Sequence, residues 1–438
     1  MAQPDIPAPA RAVPASPSFG QAFRFWLKLG FISFGGPAGQ IAIMHRELVD
    51  RRGWVDESRF LHALNFCMFL PGPEATQLAI YIGWLLHGTA GGIVAGVLFV
   101  LPSVFILWGL SYLYVSFAAV AGVAAIFYGL KAAVVAIVAH ALVRIGRRAL
   151  RNEAFVAIAV GAFAALYFFK VSFPLVVLFA ALTGLLGGRM WPGTFVPLLS
   201  PSHDAGPIYS LQSQARPTRA RSLRVLGVCL ALWWVPVIAL GLALGWDSIL
   251  VQQAVFFSKA ALVTFGGAYA VLPYVAQQAV EKFGWLSGAE MVDGLGLAET
   301  TPGSLIMVVL FVGFVAGWNF PEPLTPLGMA TAGALITTWV TFVPCFMWIF
   351  LGAPYVEKLY GNARLGSVLA AITAAVVGVV ANLSVWFAQQ VIVPAGRIDA
   401  FALMVGVVVL WGMIRWKWEV VPVVIGSGLA GLVYRLVT

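Results

Sequence analysis

The reading of this chain turns on a stretch that occurs twice: Phe31-Ile32-Ser33-Phe34-Gly35-Gly36-Pro37 and, 231 residues later, Leu262-Val263-Thr264-Phe265-Gly266-Gly267-Ala268. In both, a glycine pair interrupts an apolar run, and glycine is among the weakest formers of a helix interior. At the same offset, with no gap, Phe25 and Lys28 fall on Phe256 and Lys259, Gly53-Trp54 on Gly284-Trp285, and Pro71-Gly72 on Pro302-Gly303. Eleven residues inserted around 319–328 move the offset to 242, where Pro102 falls on Pro344 and Ala132-Ala133-Val134-Val135 on Ala374-Ala375-Val376-Val377. Apolar matches alone carry little weight between membrane helices, but these three motifs in one register mark an internal duplication.

Composition sets the surroundings. Of 438 residues, 61% are hydrophobic and 10% charged, against about 25% charged in a soluble domain. Apolar segments lie near 23–45, 60–86, 89–115, 119–145, 153–169 and 171–190. After an unmatched one at 223–246 they recur near 250–279, 290–316, 327–352, 365–391, 398–414 and 420–436. About 20 such residues span the ~30 Å hydrocarbon core as a helix. Soluble enzymes, nucleic-acid binders and secreted scaffolds are thereby excluded, and the bilayer is the expected partner. The net charge of +9 belongs to loops facing an anionic leaflet and implies no nucleic acid. Cys67, Cys229 and Cys345 have no CxxC spacing, His62, His87 and His140 form no ligand pair, and there is no Walker A motif. No metal, cofactor or ATP hydrolysis is expected.

The expected fold is an all-α polytopic membrane protein with two antiparallel, inverted repeats of about six apolar segments each, one extra helix between them, and broken or re-entrant helices. The divisions are 1–18, a Pro/Ala-rich cytoplasmic tail; 19–190, the N-terminal repeat; 191–222, a Pro- and Arg-rich cytoplasmic linker; 223–246, the connecting helix; and 247–438, the C-terminal repeat. An even number of crossings followed by one extra helix turns the second copy over. With the N-terminus cytoplasmic, Arg144, Arg147, Arg148, Arg151, Arg189, Arg216, Arg219, Arg221, Arg224, Lys358, Arg364, Arg415 and Lys417 all fall inside, as the positive-inside rule requires. The loop 45–59, with four arginines, falls outside on simple counting. It returns to the inside if 23–45 and 60–86 are re-entrant hairpins broken at Gly35-Gly36-Pro37 and Pro71-Gly72-Pro73.

Irregular backbone at membrane depth is tolerated only where protein buries it or water reaches it. Broken helices in matching positions of two inverted halves point to a transport site. The breaks are Phe34-Gly35-Gly36-Pro37 and Pro71-Gly72-Pro73-Glu74 in one copy, Phe265-Gly266-Gly267 and Thr301-Pro302-Gly303 in the other. Each frees N–H groups at a half-helix N-terminus, where the dipole favours an anion; close helix packing by glycine is the alternative. Asn65, Thr76, Gln77, Thr300, Thr301 and Ser304 supply polar company, as oxyanion donors or as helix-to-helix bonds. Among embedded charges, each costing at least ~2.5 kcal/mol, Lys28 and Lys259 precede the glycine pairs, and Glu74 and Glu299 adjoin the prolines. The lysines also read as interfacial side chains, and Glu74 as half of a structural ion pair. Lys131 has Thr373 as its repeat counterpart and is a weaker candidate.

Phe31 to Pro37, Gly53-Trp54 and Leu70 to Ala79, with their second copies, resemble the chromate ion transporter (CHR) family in its long, two-domain form, over nearly the whole chain. The resemblance implies a bacterial inner-membrane efflux carrier of chromate, with sulfate as the structural analogue. On that reading the four breaks and their polar neighbours form the anion site, Lys28 and Lys259 offset its charge, and Glu74 and Glu299 bind the coupling proton. A homodimer is one expected assembly. An interior negative by about 100 mV already favours dianion export by about 4.6 kcal/mol, so uncoupled export is feasible as well. An anion channel and a re-entrant-helix membrane enzyme or lipid flippase are the alternatives. Pro37 becoming Ala268 and Glu74 becoming Leu305 imply unequal halves.

Overall fold

The structure is a computed structural model that describes residues 17–195, 218–355 and 363–438. Most of the expected tail, most of the linker including Arg216, and Lys358 lie outside the described residues. The described residues are all-helical, and seven helices are long and apolar enough to cross a membrane.

The duplication is visible element by element. In the first copy, α1 (Phe19–Ile32), α2 (Gly36–His45) and α3 (Glu57–Met68) precede α4 (Glu74–Phe117) and α5 (Ala121–Ala149). Then come α6 (Glu153–Tyr167) and α7 (Phe173–Met190). The connecting helix α8 (Arg219–Leu244) starts four residues earlier than the apolar run indicates, because Thr218 caps it by accepting from the Arg221 N–H. In the second copy, α9 (Ile249–Val263), α10 (Ala268–Ala276), α11 (Gly288–Thr300), α12 (Val308–Asn319) and α13 (Pro326–Gly352) lead into α14 (Ala363–Val391). The chain closes with α15 (Ala400–Arg415) and α16 (Val420–Val437). Even the π-helical turns recur: Arg46–Arg51 after α2 and Gln277–Lys282 after α10.

α1 and α2 fold back on each other. Phe25 meets Trp54 edge-on at 5.3 Å, and the Arg52 guanidinium sits 5.0 and 4.8 Å from the two rings. An unbroken helix would hold Phe25 and Arg52 about 40 Å apart, so the chain reverses at the glycine pair. Phe256 and Trp285, 5.7 Å apart, record the same reversal in the second copy. The fold-back expected of 23–45 is thus observed in α1–α2. α4 reverses too, at His87–Gly88, where its helical φ/ψ breaks. Gly83 then packs against Gly91 and Ala95, while Gly96 approaches Ile80. In the second copy α12 and α13 make the equivalent hairpin, with Gly313 on Gly333 and Gly317 on Met329. His87 Nε2 bonds the Pro17 carbonyl at 2.9 Å, so the α4 turn sits level with the start of α1. At 1.5 Å per residue, the breaks in α1–α2 and α3–α4 lie about 20 Å deeper.

The two copies interlock. α6 and α7 of the first pack on α14 of the second, α15 and α16 of the second pack on α5 of the first, and α5 and α14 pack on each other. Small residues let the backbones approach, Gly184 against Ser367 and Gly431 against Gly129.

The breaks are held by bonds between copies. Gly72 N–H donates to the Thr264 carbonyl, and Gly303 N–H to the Ser33 carbonyl, both at 2.7 Å. Gly72 and Gly303 are repeat equivalents, as are Ser33 and Thr264, so the exchange is reciprocal. Both glycines have positive φ, 127° and 102°, and a Cβ on Gly303 would overlap Ser103 Oγ. Gly303→Ala is therefore expected to cost about 2–4 kcal/mol in unfolding of the detergent-solubilised protein. Adding Ser103→Ala recovers part of that loss. Gly109→Ala, in open space on α4, is neutral or slightly stabilising.

Candidate functional site

Two clusters form where the breaks of one copy meet those of the other. At the first, α2 reaches Thr301-Pro302-Gly303: Gln40 Nε2 donates to the Gly303 carbonyl, and Ser103 Oγ on α4 donates to the Pro302 carbonyl. At the second, Gly72 lies on Thr264, and Gln77 Nε2 donates to the Pro71 carbonyl at 2.8 Å. These bonds satisfy carbonyls that a continuous helix would have paired internally. They leave acceptors and a hydroxyl over. Gln40 Oε1, Gln77 Oε1 and Thr76 Oγ1 are buried without a hydrogen-bond partner. A buried polar atom left so costs about 1–3 kcal/mol, and such atoms mark a place for a ligand or water.

Glu74 opens α4 directly after Pro73, in the first turn, where the helix dipole favours its charge. A Cβ on Gly267 would stand 3.7 Å from Glu74 Oε1, so the carboxylate faces the glycine pair of the other copy. Among the described residues Glu74 makes no hydrogen bond and no ion pair, which removes the structural salt bridge as its explanation. It also occupies the half-helix N-terminus that an anion would otherwise use. The N-termini of α2 and α10 carry no acid in their first turn, and Phe34, Gly35, Gly36, Pro37, Phe265 and Gly266 are only half-buried.

Glu299, near the end of α11, is buried and accepts a 2.5 Å bond from Tyr269 OH on α10. The Arg144 guanidinium on α5 acts electrostatically on both. Neither Tyr269 nor Arg144 stands out in the sequence as a site residue, since Ala38 fills the repeat position of Tyr269 and Arg144 reads as a loop charge. Thr300 and Thr301 turn their hydroxyls back onto their own helix, to the Leu297 and Ala298 carbonyls at 2.8 and 3.0 Å. Asn65 is half-buried on α3. Lys28 and Lys259 are exposed, the first beside exposed Leu27 and Phe31, the second near exposed Leu262. No described contact ties either lysine to the breaks.

The two half-helices that follow the glycine pairs differ sharply. Every residue of α10 is buried, and the helix packs along α14. In α2 only Gln40 and Met44 are buried, Ala42 is exposed, and there is no comparable packing on α5. Equivalent elements are thus fully buried in one copy and mostly half-buried in the other.

Apolar helices broken in matching places of two interlocked copies define a membrane transporter. The family model described as "Chromate transporter" matches residues 20–185 and 251–432, two spans that begin 231 residues apart and omit the linker and α8. The chain belongs to the chromate transporter family, a family of transporters and not of enzymes. It is 32% identical over 435 residues to the chromate transport protein of Pseudomonas aeruginosa, covering 97% of this chain and 94% of that one. It is 28% identical over 439 residues to the chromate transport protein of Cupriavidus metallidurans, covering 98% and 97%. A probable chromate transport protein of Synechococcus elongatus is 28% identical over 375 residues, 85% of each chain. No solved structure matches.

The geometry of Glu74 generates a test. Glu74→Gln is expected to leave the unfolding temperature in detergent unchanged while reducing transport. A structural ion pair at Glu74 would instead show as a loss of about 3–5 kcal/mol.

Proposed function

We propose that this chain is a secondary transporter that exports chromate or a sulfate-like tetrahedral oxyanion across the bacterial inner membrane, by alternating access between two inverted repeats. The observation that carries this reading is the unequal burial of α2 and α10. Two halves related by a two-fold axis reach a second state by exchanging conformations, so that α10 opens and α2 closes. Reciprocal bonding between equivalent residues, as at Gly72–Thr264 and Gly303–Ser33, is what a two-fold relation produces. A channel needs both flanks open together, and the buried α10 speaks against that alternative.

The open flank of α2 leads to Arg46, Arg51 and Arg52, and the positive-inside rule places it in the cytoplasm with the N-terminus. This basic mouth collects the anion. The anion is held by N–H groups at Gly35–Gly36 and Gly266–Gly267, with the Thr76 hydroxyl as a further donor and Gln77 beside it. Glu74 and Glu299 are the groups available to a coupling proton. Lys28 and Lys259 serve the bilayer interface, where long cationic side chains settle.

Inside-out vesicles containing the protein are expected to take up chromate at a saturable initial rate, with competition by excess sulfate. Collapsing the membrane potential and the pH gradient separately names the driving force. Unsaturable flux would replace the carrier with a channel; no flux from folded protein would remove chromate. In the same vesicles Ala42→Cys on α2 should react with a water-soluble thiol reagent from the cytoplasmic face, while Pro273→Cys, its repeat equivalent on α10, is protected. Equal reactivity of the two would sink alternating access.

A further inference from the structure

Outside the breaks, the interior holds a second charged cluster, and it joins the two copies. Asp293 on α11 is 2% exposed. Its Oδ2 is 3.2 Å from Lys131 Nζ on α5 and accepts a 2.9 Å bond from Tyr114 OH on α4. Its Oδ1, also buried, has no hydrogen-bond partner. The surroundings are apolar and tightly packed. Tyr114 stands edge-on to Phe127 and Phe311 at 5.0 and 5.2 Å, and Gly296, one turn past Asp293, lies against Leu130 and Val134 of α5. Lys131 is less enclosed, with 24% of its side chain accessible.

We propose that Asp293 and Lys131 form a proton-operated charge pair between the repeats: a proton bound at Asp293 Oδ1 neutralises the carboxylate and releases the Lys131 ammonium, adding one positive charge to the path of the oxyanion. A hydronium ion gives up the proton and leaves as water, Oδ1 gains it, and the ion pair to Lys131 is the one interaction lost. Three features carry this. The carboxylate has one oxygen fully engaged and one idle, which is where a proton goes. Its cationic partner is the more accessible member, so the released charge has somewhere to act. And the pair spans α5 and α11, elements of opposite copies that an exchange of conformations must move.

Few other ionisable groups bear on Asp293. α4 presents Tyr114, α5 presents Lys131, and Glu290 lies one turn earlier on α11 itself. α12 and the turn before it have no titratable residue, and α14 has only Arg364, at its start. In α16 the candidates are Tyr434 and Arg435, both engaged with the Tyr128 ring. The repeat counterparts of Asp293 and Lys131 are His62 and Thr373, so the device exists once per molecule.

The role in coupling rests on the transport reading above; the protonation does not, and the tests separate them. Infrared difference spectra of the detergent-solubilised, substrate-free protein, titrated from alkaline to acid pH, should show a carboxylic acid band that disappears in Asp293→Asn. Because that variant leaves a lysine unpaired, the double variant Asp293→Asn, Lys131→Gln, which has neither charge, guards against misfolding. An identical band in wild type and double variant would overturn the proposal. In vesicles the double variant should lose stimulation of chromate uptake by an imposed proton gradient. Full stimulation in the double variant would reduce the pair to a packing contact and likewise overturn it. The band present in a wild type that moves no chromate would leave the protonation standing and refute the transport reading.

Discussion

Hydrocarbon contains no water to satisfy a broken backbone, and this molecule breaks its apolar helices at four places. What makes that possible is the exchange of N–H and C=O groups between copies: Gly72 to Thr264 and Gly303 to Ser33. Much else follows from those two bonds. They require backbone-to-backbone approach at positive φ, hence glycine at both donors. They require the breaks of one copy to face those of the other, hence the interlocking of α5 and α14 with each other's terminal helix pairs. The folded-back α1–α2 and the hairpin of α4 deliver the breaks to a common depth.

On this near-symmetric frame the side chains are unequal. Gln40, Glu74 and Gln77 in the first copy stand where the second has Val271, Leu305 and Val308. In the other direction, Asp293, Glu299 and Tyr269 stand where the first copy has His62, Met68 and Ala38. The two copies thus place their polar groups differently about the breaks. The first supplies unpaired amide, hydroxyl and carboxylate groups beside the breaks; the second supplies buried carboxylates behind them.

The duplication and the break positions were legible because FGG, GW and PG violate helix and membrane rules at a fixed spacing. The boundary near residue 87 was legible too, as the gap between the apolar segments 60–86 and 89–115. The direction taken after each break was not, since an apolar run reads alike whether the chain crosses or returns. Only the arginines of 45–59 hinted at the return. The Asp293–Lys131 contact was also hidden. The repeat counterpart of Lys131 is Thr373, whereas its partner lies on a non-equivalent helix, and sequence periodicity has no term for such a contact. The exposure of Lys28 and Lys259 is the opposite case. Conserving a lysine across both copies suits an interface with lipid as well as it suits a site, and one-dimensional symmetry does not tell them apart.

The reciprocal bonds also constrain what a single copy can do. Alone, it would hold the Gly72 N–H and the Ser33 carbonyl open in hydrocarbon with no mate, at a cost of several kcal/mol. One copy is therefore half of a closed bonding set and must find a second, made as a separate chain if it is not fused. Fusion through α8 guarantees one partner for every copy at the moment of synthesis, and it frees the two sequences to drift apart. Stoichiometry and divergence of function are in this sense both products of two hydrogen bonds.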